Sequence, residues 1–304
     1  MAIYSLVFIL FVFLFVGGET QQKHRLIKDI WDAGHLVLFG LISFIYFSHP
    51  ARTNHSLTYK IVATTLFSLI SGSAIELIQM FTHRSFSLGD IVNDVIGGYL
   101  GLLAIIITSK QKTLKNQILA SLAFLLLIFI GLRGLEKHLI DEYILRNDFP
   151  ELASFETNLE MERWEFKLVN AKPSLQYVKK GTYSLEAEFL RGRYPNISMQ
   201  HFMADWSDYE KLHFSVFNAT NETQQFELKI YDSKHIATGR KYKDRFNKPV
   251  SFAPGWNEID IELSDIIRSP RHRSMNIKAI KGFSLFTDKL KQPVTLFIDD
   301  IHLK

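Results

Sequence analysis

Glu76, Gln79, Arg84, Ser87, Asp90 and Asn93 form a polar series set between and inside two long apolar runs. Carboxylates and amides are costly in a bilayer, so such residues mark a functional site by default. Their chemistry suits a polar headgroup, with Arg84 meeting an anionic group and the others hydrogen bonding. Glu76 with Asp90 could also serve as acid and base, or His35 as base. No nucleophile, metal set or glycosidase-type carboxylate pair is marked by spacing. Glu76 and Gln79 at i,i+3 share a helix face. Glu76 lies about five residues inside its apolar run, or ~7 Å at 1.5 Å per residue. Asp32, Ser87 and Asp90 also suit helix N-capping.

The elements that must position these groups are membrane helices. Five apolar spans are expected, at about 2–17, 33–48, 61–81, 91–108 and 117–134, each near the ~20 residues needed to cross the hydrocarbon core. Residues 2–17 lack a basic leader and a good cleavage site, so they read as an uncleaved first helix. The third and fourth spans form a hairpin whose polar ends meet at one membrane surface. The second span starts there too, bringing Asp32 and His35. Asp94, Gly97 and Gly101 continue the fourth span's face. Gly97-xxx-Gly101 is a small-xxx-small pattern that lets helix backbones approach. Gly72 extends the Glu76 face. Five spans put this polar cluster on the same side as the C-terminal half.

His35, then Glu76-xx-Gln79, Arg84, Ser87 and Asp90-xx-Asn93-xxx-Gly97, resembles the VanZ-like family of bacterial membrane proteins over about residues 25–110. The resemblance implies a small multi-spanning protein of the cell envelope. The family's founding type is associated with low-level resistance to the glycopeptide teicoplanin, and the resemblance supplies no reaction.

The second half reads differently. After a connector at 135–150, apolar residues alternate with polar ones: Leu212-Phe214-Val216, Phe226-Leu228-Ile230, Ile259-Ile261-Leu263 and Val294-Leu296-Ile298. A period of two argues for antiparallel sheets with one buried face. Lys180-Gly181 and Pro254-Gly255 punctuate the strands. The expected fold is therefore an all-α helical bundle of about five membrane helices (1–134) followed by an all-β sandwich, a jelly roll (151–304).

Phe155-Glu156, Gly181-Thr-Tyr-Ser184-Leu185, Pro254-Gly255-Trp256-Asn257 and Phe297-Ile298-Asp299-Asp300-Ile301 resemble the galactose-binding-type jelly rolls found among carbohydrate-binding modules. That resemblance implies a carbohydrate partner. It also implies a structural Ca²⁺ joining Glu156 to Asp299 or Asp300, with the hard oxygen ligands this ion prefers. A sugar platform needs aromatic faces beside polar groups. The candidates are Trp206, Tyr242 and Trp256, flanked by His235, Asp244 and Arg245. Each of these aromatics could equally be a packing residue.

Composition bounds the rest. The chain has 304 residues, a net charge of +4 and no cysteine, which excludes disulfides, thiolate metal sites and a Cys nucleophile. No basic cluster is long enough for nucleic acid, and the excess charge suits anionic lipid as well. The expectation is a multi-pass protein of the bacterial cytoplasmic (inner) membrane, with its N-terminus cytoplasmic and its β domain outside. It would bind a membrane lipid or lipid-linked glycan at the polar cluster, and a glycan on the jelly roll. The alternatives are a membrane-anchored glycan-binding or assembly protein whose cluster only holds helices together, and an enzyme acting on a lipid-linked substrate.

Overall fold

A computed structural model describes residues 9, 11–12, 25–81 and 86–304. The expected span at 2–17 falls almost wholly outside these residues, and Arg84 lies outside them. The chain divides into two compact units, Met1–Ile140 and Asp141–Lys304.

In the first unit, four of the described helices are long and apolar enough to cross a membrane: α1 (Arg25–Ser48), α2 (Leu57–Met80), α3 (Leu88–Thr108) and α4 (Leu114–Gly131). A fifth helix, α5 (Arg133–Asp148), follows directly. α1 begins earlier than hydropathy indicates, because the polar stretch Arg25–Asp32 is already helical. Ser56, Ser87 and Thr113 cap α2, α3 and α4 by accepting from Tyr59, Asp90 and Asn116 amides. Each cap satisfies one of the N–H groups a helix start leaves without a partner.

α3 is the central helix, and glycine decides how its neighbours reach it. A Cβ on Gly97 would lie 2.3 Å from the Leu36 carbonyl oxygen, and one on Gly101 2.4 Å from that of Gly40. The backbones of α1 and α3 therefore touch, running parallel, along the small-xxx-small face. α2 runs antiparallel to α3: a Cβ on Gly98 would meet the Thr64 side chain at 2.5 Å, and one on Gly72 would meet Asp94 Oδ2 at 2.2 Å. The start of α1, the end of α2 and the start of α3 are thereby gathered at one end of the bundle.

The second unit contains eleven strands: β1 (Glu151–Ala153), β2 (Trp164–Lys167), β3 (Val169–Ser174), β4 (Ser184–Phe189), β5 (Asn196–Met199), β6 (Lys211–Asn218), β7 (Gln224–Asp232), β8 (Phe246–Phe252), β9 (Gly255–Glu262), β10 (Ile280–Phe286) and β11 (Val294–Leu303). Three short helices, α6 (Asn158–Met161), α7 (Ser233–Ala237) and α8 (Leu263–Arg268), link them. One sheet runs β3-β4-β11-β6-β9 with β1 beside β11, and the other runs β2-β5-β10-β7-β8. Every strand pair is antiparallel.

The alternation resolves as a sandwich. Leu212, Phe214, Val216, Leu296 and Ile298 face inward from the first sheet, and Phe226, Leu228, Ile230, Phe283 and Leu285 from the second. Each such side chain contributes about 1.5–3 kcal/mol by leaving water. Leu263 departs from the expected alternation because it begins α8. Between Asp299 and His302 the β11–β6 register shifts, and Asp300 takes a left-handed φ of 54°. A bulge of this kind re-aims side chains at that point of the strand.

Candidate functional site

The helical unit brings His35, Glu76, Asp90 and Asp94 together. α1 supplies His35, the last turn of α2 supplies Glu76, and the first two turns of α3 supply both aspartates. All four are buried, at 0%, 1%, 2% and 0% exposure. His35 Nδ1 lies 2.9 Å from Asp94 Oδ1, and His35 Nε2 lies 3.9 Å from Asp90 Oδ2. An ionised carboxylate only accepts, so Nδ1 carries a proton, and in the neutral ring Nε2 then presents its lone pair. The Ser87 amide donates to Glu76 Oε2 at 2.7 Å, which ties the cap of α3 to the end of α2. Glu76 Oε1 and His35 Nε2 are buried without a hydrogen-bond partner. Gln79 is also buried on the Glu76 face of α2.

The remaining members of the expected cluster separate from this group. Ser87 is the α3 cap. Asp32 and Asn93 line a cavity of about 300 Å³ between the start of α1, α3 and the end of α4, together with Asp29, Ile96 and Gly134. Lys28 approaches Asp32 at 3.9 Å, and His138 binds Asp29 at 2.5 Å. Asp94 was visible in the sequence as a continuation of the helix face. Its role as the partner of His35 was not, because that pairing spans 59 residues.

In the sandwich, the expected sugar-binding residues do not form one platform. Trp206 has no exposed surface, and its indole N–H donates to the Met203 carbonyl at 2.9 Å. It is a core residue with no face to offer a ligand. His235 is buried at 3% exposure, and burial, aided by Arg245, lowers its pKa. Asp244 accepts from Arg273 Nε at 2.6 Å, a bond that takes its carboxyl down to about 2. Trp256 is 38% exposed, but its side of the first sheet is occupied by the chain's own 175–183 loop. There Tyr177 stacks on Phe217 at 3.8 Å, and Lys179 Nζ lies over the Trp256 ring at 5.6 Å.

Tyr242 and Arg245 lie instead beside the outer face of the second sheet. Arg245 lies over the Tyr242 ring at 5.1 Å, and the Tyr242 hydroxyl donates to Glu227 at 2.9 Å. Glu227, Lys229 and Tyr231 are the outward residues of β7. The sequence marked them only as the polar phase of an alternation. Tyr231 lies against Gly282 of β10, where a Cβ would sit 2.3 Å from its ring. Lys229 lies over Tyr231 at 5.4 Å. Burial, together with the Arg245 and Arg240 charges, pulls the Lys229 ammonium down to about 8.

Two of the residues expected to hold Ca²⁺, Glu156 and Asp299, are engaged by backbone amides. Glu156 Oε1 accepts the Thr182 and Tyr183 amides at 2.7 and 2.9 Å. Asp299 Oδ2 accepts those of Lys179 and Lys180 at 2.6 and 3.0 Å, and Oδ1 that of Asp300 at 2.7 Å. Backbone amides engage three of these carboxylate oxygens, so Glu156 and Asp299 anchor the 179–183 loop. Burial raises the Asp299 pKa even so. Asp300 turns away at the bulge, toward His302 at 3.0 Å and Lys180 at 4.0 Å.

No family model matches the chain, so the resemblance of residues 25–110 to the VanZ-like family rests on the motif residues alone. No curated protein matches it either. Solved structures similar in part include an exo-β-agarase (14% identity, TM-score 0.42, covering 51% of this chain and 24% of that one). A family 11 carbohydrate-binding module from Clostridium thermocellum, in complex with a β-1,3-1,4-mixed-linked tetrasaccharide, is also similar (15% identity, TM-score 0.40, covering 50% and 93%). A family 30 module of a cellulosomal cellulase from the same organism matches at 12% identity and TM-score 0.32, covering 44% and 82%. The chain spans about a quarter of the agarase it matches.

Proposed function

We propose that this chain is a membrane-embedded glycan-binding protein, held by the helices of its first unit and reading sugar on the outer face of the β2-β5-β10-β7-β8 sheet. The supporting observation is the grouping of Tyr231, Lys229, Glu227, Arg245 and Tyr242 on and beside that face. Aromatic rings beside charged hydrogen-bonding groups suit a ligand with apolar C–H faces and many hydroxyls. The first sheet's outer face is covered by the 175–183 loop, which favours the second.

The ligand class we propose is a glycan of the cell envelope, of which lipid-linked glycans are the membrane-borne members. The VanZ-like motif residues support an envelope role related to glycopeptides. A glycan-reading unit belongs outside the cytoplasmic membrane of a bacterium, which puts the N-terminus inside. A reporter fused after Lys304 checks that orientation.

The direct test is the full chain in mild detergent on an array of envelope and plant-type glycans. Binding should fall about 3–10-fold in Tyr231→Ala or Tyr242→Ala, the loss expected of one aromatic contact. Trp256→Ala should leave it unchanged. If Trp256→Ala alone abolished binding, the reading of the second sheet would be wrong.

A further inference from the structure

We infer that His35, Glu76 and Asp90 form a binding site for one divalent transition-metal ion of the Zn²⁺ or Mn²⁺ class. Their candidate ligand atoms all lie within 4.8 Å of one another, and all three residues are buried. His35 Nε2 to Asp90 Oδ2 is 3.9 Å. Two ligands about 2.1 Å from one ion at a tetrahedral angle lie ~3.4 Å apart, so a small side-chain adjustment closes the set.

The surroundings prepare these atoms for a cation. Asp94 accepts a hydrogen bond from His35 Nδ1–H at 2.9 Å, which leaves Nε2 of the neutral ring with its lone pair pointing into the site. A carboxylate behind a histidine is the usual outer partner of a metal-ligating imidazole, since it fixes the tautomer and raises the basicity of the ligating nitrogen. The Ser87 amide holds Glu76 Oε2 at 2.7 Å and turns the other oxygen inward. That oxygen, Oε1, and His35 Nε2 are both buried without hydrogen bonds, as is Asp94 Oδ2 beside them. A buried acceptor with no donor is costly, more so when charged, so both atoms are placed for something that accepts their electron pairs.

Charge points the same way. Glu76, Asp90 and Asp94 bring three carboxyl groups to one buried imidazole, a concentration of negative charge where water screens little. Such a concentration of acceptors favours a cation. One imidazole and two carboxylates suit Zn²⁺, Mn²⁺ or Fe²⁺ better than Ca²⁺ or Mg²⁺, which favour oxygen ligands alone. Three protein ligands leave a fourth position for water or a ligand oxygen. Gly72 is part of the device, because a side chain there would displace Asp94. The site stands apart from the glycan reading: it lies in the helical unit, and its test uses no sugar.

The experiment uses the untagged full chain in mild detergent, stripped with chelator and titrated with Zn²⁺ alone, then with Co²⁺ as a spectroscopic probe. One Zn²⁺ per chain is expected. His35→Ala and Glu76→Gln should each weaken binding at least ~100-fold, and Asp94→Asn about 10–100-fold. Asp94→Asn should also shift the visible Co²⁺ spectrum while still binding it, which a purely structural role would not do. His302→Ala, in the sandwich, should keep the wild-type isotherm. Helical circular dichroism identifies any variant that fails to fold. Wild-type protein that takes up no Zn²⁺ overturns the proposal whatever the variants do. So does a folded His35→Ala chain with unchanged affinity.

Discussion

Arg273→Met tests the electrostatic lock behind the proposed glycan face. Arg273 sends Nη1 and Nη2 to the two oxygens of Asp232 at 2.6 and 2.8 Å, and Nε to Asp244 at 2.6 Å. The Asp232 carboxylate is fully buried, while the Arg273 and Asp244 side chains are 19% and 18% exposed. Burial opposes ionisation of Asp232, but the Arg273 fork and the Asn276 and His235 amides outweigh it and hold the carboxyl below its usual range. Breaking a buried pair costs about 3–5 kcal/mol. The two retained amides and the partly exposed arginine put this case at the lower end, ~3 kcal/mol. At about 2–4 °C per kcal/mol for a domain of this size, the sandwich should melt ~6–12 °C lower. The pH dependence has a definite sign. Asp244 stands at about 2, below the usual value of 3.8, so its contribution is complete above that value and lost as pH falls through 2. The wild type should therefore lose more stability than the variant between pH 4 and 2. Near-ultraviolet circular dichroism, with Trp206 in the core as reporter, follows the sandwich in the full chain. Adding Asp232→Asn should restore part of the loss. A single variant melting within ~2 °C of wild type would refute the reasoning.

Gly97→Ala should destabilise the helical unit by about 1–3 kcal/mol through overpacking against the Leu36 carbonyl, read as a lower melting temperature in detergent. Trp206→Ala should cost about 3–5 kcal/mol and Trp256→Ala less than about 1 kcal/mol, measured by denaturant unfolding. Lys229→Met should stabilise the sandwich by about 1–2 kcal/mol at pH 7 while weakening glycan binding. The Lys229 ammonium is pulled down to about 8 from 10.5, so its destabilising charge is present below pH 8 and relieved as pH rises toward 10.5. The wild type should gain stability over that interval and the variant should not. Gly282→Ala should displace Tyr231 and reduce glycan binding with little change in melting temperature.

What the sequence made legible follows the range of each interaction. Strand phase is local, so Leu212-Phe214-Val216 and Phe226-Leu228-Ile230 could be assigned to the core from alternation. Apolar spans are local too, but their ends are not apolar. The polar first turns of α1 were therefore missed, although they are helical. A lone aromatic carries no phase, which is why Trp206 read as a candidate platform while lying in the core. Glu156 and Asp299 were named for their acidity. What they bind, the amides of a loop more than 20 residues away in sequence, depends on how that loop folds back.

The cluster in the helical unit shows where local and distant signals combine. The spacing of Glu76, Asp90 and Asp94 put carboxylates near one end of a hairpin, which helix periodicity alone can state. It could not separate a ligand site from helix glue, because that depends on whether acceptors meet donors. Helix glue would pair each acceptor with a donor, since an unpaired polar group weakens the contact it sits in. In the fold, His35 spends its one proton on Asp94 and turns its lone pair toward Asp90. Glu76 spends one oxygen on the Ser87 amide and leaves the other buried and unbonded. An acceptor-rich pocket of this kind is a poor adhesive and a good receptor for a cation. The glycines that let α1 and α2 close on α3 bring these acceptors together, so helix packing and the site share one cause.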